Sequence, residues 1–92
     1  MELDDSLIES AALDVLGVYN HPGGWATGGF RTSLIHTWLR ADAANRRRLS
    51  HGFPELGFVI DLFTSNQLSA VQFLAKGGSR KELPKVSQPP YT

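Results

Sequence analysis

The chain has 92 residues, of which 41% are hydrophobic and 20% are charged, and its formal net charge at pH 7 is zero. A chain of this length forms one domain with a modest core. The absence of cysteine excludes disulfide bonds, thiolate nucleophiles and zinc–thiolate sites. No apolar run approaches the roughly 20 residues needed to span a bilayer, and the N-terminal segment is acidic where a secretory signal would be basic. We therefore expect a cytoplasmic protein.

The first predicted element is an amphipathic helix over residues 4–19. Asp4 and Asp5 stand where a helix N-terminus favours carboxylates, and Asn20 and Pro22 are expected to end the helix. Leu13 lies on its polar side, which predicts an exposed leucine that can belong to a contact surface. The predicted apolar face consists of Leu7, Ile8, Ala11, Ala12, Val15, Leu16, Val18 and Tyr19.

The second predicted helix, residues 29–41, follows a glycine-rich connection and repeats the amphipathic pattern. Asp42 is expected to cap a short third helix, which Gly52 closes in the left-handed conformation. The predicted apolar half of the second helix consists of Phe30, Leu34, Ile35, Trp38, Leu39 and Ala41.

Residues 54–64 are predicted to form a central helix, because apolar residues surround most of its circumference and Pro54 suits a first helical turn. Gly57 is expected to let a neighbouring backbone come close. Residues 66–76 are again helical, either continuing that helix or following a break near residues 64–66. Residues 79–92 contain three prolines and almost nothing to bury, which predicts a flexible tail.

These elements together predict an all-α fold, a compact bundle of four to five short helices with a glycine-rich first connection. The predicted helical domain covers residues 1–78, and the flexible C-terminal tail covers residues 79–92. Sustained period-two alternation and hairpin signals, which would indicate strands, are absent from the sequence.

The first connection, NHPGGWATGGF at residues 20–30, admits two interpretations. Glycines before a helix can cradle a phosphate through free backbone N–H groups, but neither established phosphate-binding spacing occurs here. The simpler interpretation is that glycines such as Gly24 and Gly29 permit a positive φ in tight turns. We expect Trp25 to pack against the first and second helices as a plug over the core. The alternative is that it stays partly exposed as an anchor for a partner, since tryptophan is a frequent hot-spot residue.

The three histidines do not form a metal or catalytic pattern in the sequence. His21, His36 and His51 are each 15 residues apart, and none forms a ligand pair with a histidine, aspartate or glutamate on one face of a predicted helix. Nothing resembles a nucleophile elbow. We expect loop or cap contacts for His21 and His51 and solvent exposure for His36, and we assign no catalytic residue, no cofactor and no metal ligand.

Charge is unevenly distributed despite the neutral total. Residues 1–20 carry a net charge of −5, whereas residues 30–51 carry +4, from Arg31, Arg40, Arg46, Arg47 and Arg48 against one aspartate. Three interpretations of the arginines stay open. They are a solvated basic face that complements the acidic first helix, a contact for a protein partner, or a nucleic-acid surface built on the Arg46–Arg48 helix.

The central run, residues 19–56, resembles small uncharacterised proteins of actinobacterial phages. Their pattern has a GG-aromatic…GxF entry, an "LI" helix, an "AD…N…RL" turn and a "GFPE" stop. The three arginines at 46–48 depart from this pattern, which has one basic residue there. The matching residues are Gly23, Gly24, Gly29, Phe30, Leu34, Ile35, Ala41, Asp42, Asn45, Leu49, Gly52, Phe53 and Pro54. The resemblance implies a phage protein acting in the cytoplasm of an infected bacterial host, and it implies no catalytic residues.

The sequence therefore predicts a non-enzymatic phage accessory protein that binds a host or phage protein, as a host-takeover or growth-inhibiting factor. The small core favours a homodimer. The predicted partner-binding residues are Leu13, Trp25, Arg46, Arg47 and Arg48. The alternative is a small nucleic-acid-binding protein that uses Arg31, Arg40 and the same three arginines.

Overall fold

The computed structural model of the chain describes residues 2–83, and in that range the predicted all-α fold is confirmed. The described residues contain no strand. Five α-helices and one short 3₁₀ helix follow one another along the chain. They are α1 (Asp5–Val18), α2 (Gly29–Arg40), α3 (Ala43–Gly52), α4 (Pro54–Thr64), α5 (Leu68–Ala75) and the 3₁₀ helix (Arg80–Glu82).

Helix starts follow the local signals in the sequence. Oδ1 of Asp4 accepts hydrogen bonds from the backbone N–H groups of Ser6 and Leu7, at 2.8 and 3.2 Å. Oδ1 of Asp42 likewise accepts from the N–H of Asn45 at 2.9 Å. These bonds satisfy donors that have no partner within the helix. Pro54 opens α4, where its missing N–H costs nothing.

Helix ends follow the sequence signals less closely. Gly52 is the last residue of α3, and the prediction that it closes the helix in the left-handed region is wrong, because the only glycines with positive φ among the described residues are Gly23 and Gly77. Residues 54–76 form two helices, since α4 ends at Thr64 and Asn66 adopts a φ of 61°. A left-handed residue cannot continue a right-handed helix, so α5 starts in a new direction.

The core lies between α1, α4 and α5, and α2 covers one side of it. α1 packs most extensively against α4 and α5. α3 contributes no fully buried residue and packs through partly buried side chains such as Leu49. The buried hydrophobic residues are Ile8, Ala11, Ala12, Val15, Leu16, Ile35, Trp38, Leu56, Val59, Ile60, Val71, Leu74 and Ala75.

Gly57 is buried in α4, as a close contact requires, but what approaches it is not a backbone. A Cβ at this position would lie 2.8 Å from Oγ of Ser50 and 3.2 Å from Cζ2 of Trp38. The missing side chain therefore lets two side chains, one from α3 and one from α2, pack against α4. The predicted backbone approach is wrong in this respect.

The first residues of the predicted tail lie against the domain. Leu83 packs against the core, Oγ of Ser79 lies 3.4 Å from Oδ2 of Asp5, and Arg80 lies 3.8 Å from the carboxylate of Glu2. The rest of the predicted tail, residues 84–92, lies outside the described residues. In the part of the chain that the structure describes, no helix is long and apolar enough to cross a membrane.

Candidate interaction surface

A buried carboxylate stands at the centre of the candidate site. Asp14 is only 8% exposed, although the helical pattern places it on the polar side of α1. It is buried because the connection between α1 and α2 folds back over this side of the helix. A buried carboxylate is costly unless its oxygens are hydrogen-bonded and its charge is paired.

Both carboxylate oxygens of Asp14 have partners from other elements. Nε1 of Trp25 donates to Oδ1 at 2.8 Å, and Nε of Arg31 donates to Oδ2 at 3.0 Å. The charge of Asp14 is therefore balanced by the first turn of α2, and Trp25 is fixed by its indole N–H. One aspartate joins α1, the connection and α2.

The backbone of the connection also lies directly on α1. The N–H of Trp25 donates to the carbonyl of Leu13 at 3.3 Å, and Oγ1 of Thr27 donates to the carbonyl of Asp14 at 3.2 Å. A Cβ on Gly24 would overlap the backbone of Gly17 in α1. A Cβ on Gly17 would likewise overlap the carbonyl of Trp25, so the two chain segments come this close because both glycines have no side chain.

The prediction of positive φ at Gly24 and Gly29 is wrong, because the positive φ in this connection belongs to Asn20, at 56°, and Gly23, at 98°. A Cβ on Gly29 would have open space around it. Gly24 is therefore constrained by close approach, and Gly29 is not constrained.

Trp25 is not a core plug, since 48% of it is exposed. One part of the indole is held by Asp14, and the remainder faces solvent. Of the two interpretations made from the sequence, only the partly exposed position agrees with the structure. That this residue anchors a partner stays a prediction.

Two further large hydrophobic residues are exposed beside the same ion pair. Leu7 is 53% exposed and Phe30 is 68% exposed, although both were predicted to lie on buried faces. A groove of about 330 Å³ is lined by Leu7, Ser10, Asp14, Arg31, Gly52, Phe53, Glu55 and Leu56. The ring of Phe30 lies beside that of Phe53, with centroids 6.4 Å apart. Hence every large hydrophobic residue that is exposed in the described chain borders this groove or its ion pair.

We call this set, Leu7, Trp25, Phe30 and Phe53, the apolar rim. Its surroundings are acidic, because Arg31 is neutralised by Asp14 whereas Glu55 lines the groove without a basic partner in it. Oε2 of Glu55 accepts from the backbone N–H of Asp4 at 2.9 Å, which brings a second carboxylate near Leu7. The apolar rim therefore combines apolar contact area with negative charge.

The other predicted site residues lie elsewhere. Leu13 is partly buried against the core, so the prediction that it is exposed is wrong. Nε of Arg46 donates to the carbonyl of Trp38 at 3.2 Å, and its Nη2 donates to that of Leu39 at 3.0 Å. Nη1 of Arg48 donates to Oδ1 of Asn45 at 2.9 Å, and Arg47 is exposed. Of the predicted arginines, the structure therefore brings Arg31 to Trp25, through their shared partner Asp14, whereas the side-chain hydrogen bonds of Arg46 and Arg48 are made to residues of α2 and α3.

Two of the three histidines, His21 and His36, pack against aromatic rings near the C-terminal end of α1, whereas His51 is exposed. The ring of His21 meets Phe63 edge-on with centroids 5.5 Å apart, and that of His36 meets Tyr19 at 5.7 Å. Burial raises the pKa of the Tyr19 hydroxyl above its ordinary value, and the positive charge of Arg40 opposes the shift. Among residues 2–83, no group of three or more histidine, aspartate or glutamate side chains is placed to hold a metal ion.

The apolar rim is suited to noncovalent recognition, because exposed aromatic side chains around a satisfied ion pair can lose water without leaving a charge unpaired. Of this set, only Trp25 could be singled out from the sequence as a binding residue. Asp14, which organises it, looked like an ordinary solvated residue of α1. No family model matches the chain, and no similar curated protein or solved structure was found.

Proposed function

We propose that the chain is a non-enzymatic interaction protein that binds a partner protein through the apolar rim. The observation that carries the proposal is the placement of Leu7, Trp25 and Phe30, which are all about half exposed or more and surround one ion pair. Single exposed hydrophobic residues are ordinary on any protein surface. A group of them around one groove is typical of an interaction site.

The position of Trp25 suits a binding anchor. Tryptophan is enriched among residues that dominate interface energies. Its indole is fixed before binding by the 2.8 Å hydrogen bond to Asp14, so little side-chain entropy remains to be lost when a partner docks. The exposed part of the ring would supply the apolar contact.

The charge around the apolar rim defines the partner's chemistry. Glu55 lines the groove, and Asp4 lies beside it. We therefore infer that the partner presents apolar side chains flanked by lysine or arginine. Such complementarity contributes more to specificity and association rate than to affinity.

The resemblance to small proteins of actinobacterial phages supports the biological part of the proposal. In that setting the partner is a host or phage protein, and the chain acts as a host-takeover or growth-inhibiting factor in the cytoplasm of the infected cell. A second copy of the chain is the other occupant of the apolar rim that we consider, since a homodimer would also cover it.

Site-specific photo-crosslinking in an actinobacterial host tests the proposal. A photoreactive phenylalanine analogue replaces Phe30, and the matched control carries it at Ser69, an exposed position on α5. We expect a partner protein to be crosslinked from position 30 and not from position 69. The purified partner should then lose at least about tenfold in affinity when Phe30→Ser is introduced.

Two outcomes would contradict the proposal. Equal crosslinking from both positions would mean that the apolar rim has no preference for a partner. If the only crosslinked product were a dimer of this chain, the occupant of the apolar rim would be a second copy. The proposal of a different partner protein would then be wrong.

The nucleic-acid alternative loses part of its support in the structure. Of its five arginines, Arg31 binds Asp14 and Arg46 binds the carbonyls at the end of α2. The affinity of a protein for a nucleic acid depends mainly on how many phosphates its cations neutralise. We therefore treat nucleic acid only as an outcome to be tested below.

A further inference from the structure

A second groove lies between the C-terminal half of α2 and α3. It differs from the apolar rim in its charge and in the residues that line it. Its volume is about 480 Å³, and we call it the arginine groove. It is lined by Thr37, Arg40, Ala41, Asn45, Arg48 and Leu49. α3, which forms one wall, has no buried residue, so its outer face is not covered by the rest of the described chain.

The arginines of this region make different contacts. Arg46 donates to the carbonyls of Trp38 and Leu39, and in doing so it fixes the corner between α2 and α3. Arg48 donates one N–H to Asn45 at 2.9 Å, which orients its guanidinium and leaves most of its five donors for a ligand. Arg40, from α2, lines the same groove.

The electrostatics of the arginine groove favour an anion. Its described lining contains two guanidinium groups and no carboxylate. The nearest acidic residue in sequence, Asp42, uses Oδ1 to cap α3 through the N–H of Asn45. The amide of Asn45 and the hydroxyl of Thr37 add neutral donors beside the two positive charges.

The apolar residues of the lining restrict which class of anion the arginine groove can bind. Ala41 and Leu49 line the groove together with the arginines, and Leu49 also packs against the core. A nucleic-acid backbone would place charged phosphates against these apolar groups, which is unfavourable. A peptide whose carboxylates flank a leucine or another apolar side chain would match both the arginines and the apolar residues of the lining. Its carboxylates would bind the guanidinium groups in a bidentate manner, and its apolar side chain would contact the apolar residues.

We propose that the arginine groove binds an acidic peptide segment of a partner protein, with an apolar side chain against Leu49 and carboxylates on Arg40 and Arg48. This site is independent of the proposed function, since its lining has no residue in common with that of the first groove and it prefers the opposite charge. Loss of binding at one surface therefore leaves the other intact, and failures of the two proposals can be distinguished.

The test measures fluorescence anisotropy of a labelled acidic peptide, in which leucines alternate with pairs of glutamate and aspartate. A control peptide has glutamine and asparagine in place of the acids. We expect binding of the acidic peptide only, weakened about tenfold or more by Arg40→Gln or Arg48→Gln. Arg47→Gln removes the same charge from a residue outside the lining and should change affinity less than twofold.

Nuclear magnetic resonance locates the bound peptide. The amide signals of Thr37, Ala41 and Leu49 should shift on titration, whereas those of Leu7 and Phe30 should not. Circular dichroism of each variant confirms that the fold is retained. Retained binding in the Leu7→Ser variant would show that the apolar rim is not involved.

Three results would overturn the proposal. Equal weakening by Arg47→Gln and Arg48→Gln would reduce the effect to general charge attraction. Tight, steeply salt-dependent binding of single-stranded or duplex DNA, without binding of the acidic peptide, would make the surface a nucleic-acid site. Self-association that Arg48→Glu abolishes would identify a second copy of the chain as the occupant.

Discussion

Arginine side chains lie beside the apolar rim and in the arginine groove, but their charges have different roles at the two sites. Arg31 binds the buried carboxylate of Asp14, so its charge is used within the fold. Arg40 and Arg48 line an open groove without a carboxylate in its described lining, so their charges stay available to a ligand. The comparison predicts that substitutions around Asp14 lower the free energy of unfolding, whereas substitutions in the arginine groove change binding and leave stability nearly unchanged.

The largest effect is expected at Asp14. Asp14→Ala leaves the guanidinium of Arg31 and the indole N–H of Trp25 without their acceptor, and both groups are partly buried. We expect the free energy of unfolding to fall by about 2–3 kcal/mol, measured by urea denaturation. The matched control is Asp61→Ala, at an exposed position on α4, which should stay within about 0.5 kcal/mol. Equal losses in both variants would show that Asp14 is not the organising residue.

A pair of glycine variants tests how closely the connection approaches α1. Gly24→Ala forces the new Cβ onto the backbone of Gly17, and we expect a loss of about 2 kcal/mol from overpacking. Gly29→Ala places its Cβ in open space at the start of α2, and it should be neutral or gain up to about 1 kcal/mol. Thermal and urea denaturation of the two proteins measure the difference. Equal effects would contradict the close approach.

Trp25 is expected to contribute less to stability than a buried tryptophan. Trp25→Ala removes a half-exposed ring and the donor to Oδ1 of Asp14. We expect a loss of about 1–2 kcal/mol, compared with about 3–5 kcal/mol for truncating a buried aromatic residue. Trp25→Phe keeps an aromatic ring without the N–H, so it separates the two contributions. A melting curve unchanged by Trp25→Ala would mean that the hydrogen bond to Asp14 adds nothing.

The smallest stability effects are expected on α3, where arginines of one helix should differ in their contribution to the free energy of unfolding. Arg46→Gln removes two hydrogen bonds to the carbonyls at the end of α2, and we expect a loss of about 1 kcal/mol. Arg47→Gln and Arg48→Gln should each stay within about 0.5 kcal/mol. Urea denaturation of the three variants in parallel provides the measurement. A loss at Arg48 as large as that at Arg46 would place Arg48 among the structural arginines.

Local features of the fold could be predicted from the sequence. The helical segments, the helix start near Asp4, the cap at Asp42 and the position of Pro54 follow from interactions between residues only a few positions apart. The break between α4 and α5 could not be decided, because Thr64, Ser65 and Asn66 are compatible with either conformation. The positive φ of Asn66 decides it in the folded chain.

The candidate site was less predictable than the helices. Trp25 could be singled out because tryptophan in a glycine-rich loop is unusual, but its exposure could not be. Leu7 and Phe30 fit the apolar faces of their helices, yet a domain of this size does not cover the whole width of those faces. Periodicity states which residues share a face, not how far a neighbouring helix extends over it.

The starts of the helices, their apolar faces and the distribution of charge along the chain follow from the sequence alone. The burial of Asp14 and the contact of Gly24 with α1 are visible only in the folded chain. The same holds for the arginines, since Arg31 and Arg46 are hydrogen-bonded within the fold whereas Arg40 and Arg48 line an open groove. The physical reason is the range of the interactions. Caps and amphipathic faces depend on neighbours within one or two turns, whereas the environment of a charge depends on segments that only folding brings together.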